Sequence, residues 1–120
     1  MEFKHIESSL EKKKEYPKLI RDEIPEIIKA NNGIEIKTQT LEDDAEYLKF
    51  LLKKVTEEAH ELANAESKEH LIEEIADVME VIDTILDVNK VDRETVKKAQ
   101  EEKRNKRGGF KKRLLMLEKA

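Results

Sequence analysis

The sequence predicts an all-α fold, a helical bundle built on an antiparallel hairpin of two central helices. Three observations carry that reading. Leu41, Ala45, Leu48, Leu52, Val55, Ala59 and Leu62 recur at alternating spacings of four and three, which is a heptad seam. Leu71, Ile75, Val78, Ile82 and Ile85 form a second seam, widened by Ile72, Ala76, Met79 and Leu86. The 120 residues contain only three Gly and two Pro, so little interrupts a helix.

Taken in order, residues 1–15 form a charged extension that precedes a single domain over 16–120. Arg21-Asp22-Glu23-Ile24-Pro25 reads as a helix start, with Asp22 able to cap and Pro25 tolerated in a first turn. Asn31-Asn32-Gly33 supplies left-handed residues that end it. Ile34–Thr38 alternates apolar and polar residues, the pattern of a short strand near 34–38. Thr40 followed by Asp43 resembles a weakened capping box at the start of the first long helix. Ser67 is placed to cap the second, and Asp92 a fourth helix that Gly108-Gly109 stops. Phe110–Leu117 fits a short strand near 112–117 or a final turn. The central hairpin would be about 30 Å long at ~1.5 Å per residue. Two helices cannot bury such wide stripes alone, so dimerisation is expected to complete a four-helix core.

Composition removes several chemistries. With no Cys, a disulfide scaffold, a thiolate zinc site, an iron–sulfur cluster and a Cys nucleophile are excluded. No apolar run approaches the roughly 18 residues of a membrane span, and the charged first residues do not resemble a signal peptide. A cytoplasmic protein with no membrane partner is expected. The net charge of −4 conceals a division: Leu41–Asp87 holds 15 acidic and 4 basic residues, whereas Lys97–Arg113 holds 9 basic and 2 acidic.

Carboxylates cluster on both central helices: Glu57, Glu58 and Glu61 on one, Glu73, Glu74 and Asp77 on the other. At about 100° per residue, Glu58 lies at the edge of the seam and Glu74 projects between Ile85 and Val81, inside the apolar arc. Carboxylates beside a core are costly to desolvate, and clustered like charges repel. A hard divalent cation such as Mg²⁺ or Mn²⁺ would offset both costs. The plain alternative is a solvated acidic face, and Asp83 inside the same arc shows that one intruding carboxylate proves no site. The basic residues around Gly108-Gly109 suit a polyphosphate, or equally a solvated helix. Glu57 and His60 make a Glu-x-x-His, but no second copy supports a di-iron site.

Glu58-x-x-Glu61, twelve intervening residues and Glu74-x-x-Asp77 resemble the paired acidic signature of the all-α nucleotide pyrophosphohydrolases. That superfamily includes MazG, the dimeric dUTPases and phosphoribosyl-ATP pyrophosphohydrolase. Lys18-Leu19-Ile20-Arg21-Asp22-Glu23-Ile24-Pro25, and Lys103 through Arg107-Gly108-Gly109-Phe110, resemble its predicted house-cleaning branch. The resemblance implies hydrolysis of a nucleoside triphosphate, of a non-standard kind, to monophosphate and pyrophosphate. By the same resemblance Glu58, Glu61, Glu74 and Asp77 would hold Mg²⁺, with Mn²⁺ an alternative. Glu57 would order or deprotonate the attacking water, and Lys54, Lys18, Arg21, Lys103 and Arg107 would contact phosphates. It also implies a homodimer or larger homo-oligomer. Phosphoribosyl-ATP hydrolysis and a non-catalytic helical interaction module remain open. Nucleic-acid binding is disfavoured by the acidic balance and the lack of aromatic interleaving.

Overall fold

A computed structural model describes residues 16–120, so the charged extension at 1–15 lies outside the described residues. The described residues form four helices and no strand, 62% helical, which is the all-α class. They are α1 (Ile24–Asn32), α2 (Asp44–Ala63), α3 (Lys68–Val88) and α4 (Arg93–Arg107). Contacts divide the chain into two compact units, Met1–Ile85 and Leu86–Ala120, with the division falling within α3.

In the first unit α1 starts without a side-chain cap. The N-cap is Glu23, not Asp22, and its helical backbone does not turn a side chain onto the first turn. The Ile24 N–H instead donates to the Arg21 carbonyl at 3.1 Å, and Pro25 has no N–H to satisfy. Gly33 ends the helix as expected, at φ 68°, with its N–H on the Lys29 carbonyl. The short strand anticipated near 34–38 does not form. Alternation alone gives no ladder, and no other described segment is a strand that could pair with it.

The cap of α2 is Asp43, whose carboxylate accepts from the Glu46 N–H at 3.0 Å, rather than Thr40. A carboxylate meets the positive end of the helix dipole better than a hydroxyl does, and Asp44 and Glu46 add to it. Asn64 to Ser67 turn the chain into α3. The Ser67 hydroxyl accepts from the His70 N–H at 3.0 Å, the cap that the sequence indicated.

Leu51 is the one buried side chain among the described residues, 4% exposed. It stands one residue away from the expected seam, because the inward line of α2 runs Leu48, Leu51, Val55, Glu58, Leu62. Leu52 is 53% exposed, and Ala45 and Ala59 are exposed too. The inward line of α3 is Glu74, Asp77, Val78, Val81 and Ile85, all half-buried. Leu71, Ile72, Ile75, Met79 and Ile82 stay 41–58% exposed. Each long helix thus has one apolar line turned in and another turned out. On α2 the outward line forms an open groove of about 470 Å³ lined by Ala45, Leu48, Leu52, Thr56 and the stems of Lys49 and Lys53.

The second unit opens with a Schellman turn at the end of α3. The Val91 N–H reaches the Leu86 carbonyl at 2.9 Å and the Lys90 N–H reaches Asp87 at 3.2 Å. The left-handed residue is Lys90, at φ 53°. Asp92 is the N-cap of α4, though its side chain makes no cap hydrogen bond. Gly108 ends α4 at φ 80° and ψ 179°, a region open almost only to glycine. Residues 112–117 form no strand. They follow a turn in which the Arg113 N–H donates to the Phe110 carbonyl, and their edge finds no partner strand.

Candidate metal and phosphate site

The heptad line that buries Leu51 also buries Glu58. Position 58 lies seven residues on from Leu51, almost in register after two turns, so its carboxylate faces the line on α3 that carries Glu74 and Asp77. One oxygen from each of Glu58, Glu74 and Asp77 lies within 4.8 Å of the others. The Glu58 and Glu74 side chains are only 14% and 12% exposed. Burial pushes the Glu58 carboxyl above its ordinary range; Lys54 opposes that shift, and the negative charges of Asp77, Glu57 and Glu74 add to it.

Cations ring this cluster. The Lys54 ammonium lies 3.2 Å from Glu57 and 3.7 Å from Glu58. Lys18 reaches Glu57 at 3.9 Å, and the Arg21 guanidinium donates to Asp77 at 2.7 Å. Lys precedes Glu in the Lys54–Glu58 pair, the less favourable order for helix stability, so this contact adds little to the helix itself. Lys18 also sits over the Tyr16 ring, 5.2 Å from its centre. The segment before α1 therefore brings two cations from far away in sequence onto the carboxylates of the hairpin.

Seven of the expected site residues meet here: Lys18, Arg21, Lys54, Glu57, Glu58, Glu74 and Asp77. Glu61 is exposed and stands outside the group of three carboxylates. With three like charges already close, a fourth has lower energy in water unless a cation draws it in. Lys103 and Arg107 lie on α4 in the second unit and are exposed. His60, exposed, stands 3.5 Å from the Asn64 amide at the end of α2, outside the carboxylate group.

The donor set fits a hard divalent cation. It consists wholly of carboxylate oxygens from two helices. Moreover, the second Glu74 oxygen (Oε2) is buried with no hydrogen-bond partner, a costly state that a cation would relieve. The sequence reading passed over His70, whose Nε2 lies 3.2 Å from the other Glu74 oxygen. Its signal was legible: a histidine four residues before Glu74 on one helix shares its face. The chain matches no protein-family model, no curated protein and no solved structure. Among the described residues, no helix is long and apolar enough to cross a membrane.

Proposed function

We propose that this chain is a Mg²⁺-dependent nucleotide pyrophosphohydrolase. It would cleave a nucleoside triphosphate, of a non-standard kind, to the monophosphate and pyrophosphate in the cytoplasm. The observation that carries this reading is the convergence of Glu58, Glu74 and Asp77 within 4.8 Å, with three cations beside them. Its motifs, which resemble those of the all-α nucleotide pyrophosphohydrolases, support the same chemistry.

Glu58, Glu74 and Asp77 would hold the cation, Mg²⁺ or Mn²⁺, with Glu61 as a fourth ligand. When bound, that cation neutralises phosphate charge and makes a bound water more acidic. The remaining work falls to side chains of the chain itself. Lys54 and Lys18 hold the Glu57 carboxylate from two sides, placing it to accept a proton from water. The water oxygen attacks the α-phosphorus, the bond to the bridging oxygen of the β-phosphate breaks, and pyrophosphate leaves. Arg21 and Lys54, now on carboxylates, have the donors to transfer to phosphate oxygens and stabilise that leaving group. Lys103 and Arg107 are the further candidates for phosphate contacts.

A homodimer or larger homo-oligomer belongs to the same proposal. Leu52, Ile72, Ile75, Met79 and Ile82 are each at least 41% exposed, an apolar surface that a second copy would cover. That surface also favours the second reading, a helical interaction module without catalysis.

Pyrophosphate release separates the two readings. The protein is incubated with Mg²⁺ and a panel of standard and damaged nucleoside triphosphates, together with phosphoribosyl-ATP. Release from a triphosphate is expected, cut by roughly 10²–10³-fold in Glu58→Gln, as losing several kcal/mol of metal-assisted stabilisation requires. No release from any nucleotide, with no Mg²⁺ binding by calorimetry, refutes the enzyme and leaves the interaction module. Release from phosphoribosyl-ATP alone would move the substrate to that compound.

A further inference from the structure

The start of α3 is built as a capping box with an unusual third member. In the common form a Ser or Thr cap accepts from the N–H three residues on, where a Glu or Gln side chain reaches back to the backbone. Here the Ser67 hydroxyl accepts from the His70 N–H at 3.0 Å, so a histidine holds the place of that Glu or Gln. The imidazole does reach back: the Glu66 N–H donates to His70 Nδ1 at 3.4 Å. A backbone N–H can only donate, so Nδ1 offers its lone pair and the ring proton resides on Nε2. That nitrogen faces Glu74 Oε1 at 3.2 Å.

We propose that His70 is a positioning residue that fixes Glu74 for a divalent cation, and this rests on the function proposed above. The two Glu74 oxygens then have separate tasks. His70 ties down Oε1, and Oε2, buried and unpartnered, is left for the cation. Glutamate has three rotatable side-chain bonds, and fixing them before the cation arrives removes part of the ordering cost of binding. The other two carboxylates are held differently. Lys54 on Glu58 and Arg21 on Asp77 are long cations that a phosphate can draw away. The imidazole is short, rooted in the same helix one turn before Glu74, and anchored to backbone on its far side. It stays with Glu74 throughout the reaction cycle. Such an outer partner commonly sets metal affinity by about 10–100-fold.

The test measures Mn²⁺ binding to the whole chain by electron paramagnetic resonance, with thermal melting recorded in parallel. Wild type is compared with His70→Ala, with His70→Gln, which keeps an N–H donor able to reach Glu74, and with Ser67→Ala, which removes the cap bond and leaves the ring. His70→Ala is expected to weaken Mn²⁺ binding about 10–100-fold. His70→Gln should restore most of that loss, and Ser67→Ala should lose less than His70→Ala. Wild-type binding that His70→Ala leaves unchanged overturns the proposal while the metal site stands. So does a His70→Gln as weak as His70→Ala, or a Ser67→Ala that loses as much, since fraying of the helix would then be the cause. A wild type that binds no Mn²⁺ removes the metal site and this role together.

Discussion

Leu41–Asp87 and Lys97–Arg113 are both dense in charge and opposite in sign, yet they hold that charge in different ways. In the first, Glu58, Glu74 and Asp77 share half-buried positions with Leu51 and Val55, and cations from α2 and from before α1 are drawn to them. In the second, all the basic residues are exposed and α4 has no buried residue. Charge density alone therefore says little about chemistry. What marks the acidic region is that its charges occupy positions an apolar side chain would otherwise fill, where desolvation and repulsion need an offset.

Substitutions can sharpen or break that contrast. The largest effect on stability is expected from Leu51→Ala, about 2–5 kcal/mol in denaturant unfolding, because it empties the one buried position. Leu115→Ala, at a residue 85% exposed, should stay within about 0.5 kcal/mol. Equal losses would show that the tail is as much a part of the folded unit as α2. Next in size, Lys90→Gly should stabilise the chain by about 1 kcal/mol, since the φ of 53° strains an L-residue and suits glycine. A loss of stability there would mean that the lysine side chain contributes more than the backbone strain costs.

The smallest effect concerns pH. Burial raises the Glu58 carboxyl in the folded state, so the folded chain binds its proton more tightly than the unfolded chain. Its contribution favours folding below the ordinary carboxylate range and is lost as pH rises through the raised value. Melting in chelator should therefore fall across that window, and Glu58→Gln should flatten the fall. Lys54, Glu57, Glu74 and Asp77 are the charged groups that act on it. An unchanged slope in the variant would place the pH dependence elsewhere.

How much of this was legible follows from the range of each interaction. Glu74 could be read from the helical wheel, because its burial depends on neighbours three, four and seven residues away. The Gly33 and Gly108 stops and the Ser67 cap were legible for the same local reason. Leu51 and Leu52 were not separable, since adjacent leucines both fit a 3.5-residue repeat and only the placement of α3 chooses between them. Ile34–Thr38 carried a strand pattern that fails for want of a partner, a non-local condition. The Arg21–Asp77 contact spans 56 positions along the chain, so no spacing rule could disclose it. His70 was missed for another reason: attention went to His60, which has the motif spacing, while the useful histidine was part of a helix cap.

The outward apolar lines of α2 and α3 carry one more consequence. If a second copy is what covers them, mass action governs folding as well as assembly, and stability then depends on protein concentration. Dilution would act as a mild denaturant. Melting temperature should climb with concentration, and the carboxylate cluster, built on the same two helices, should lose its order at the dilution that parts the copies.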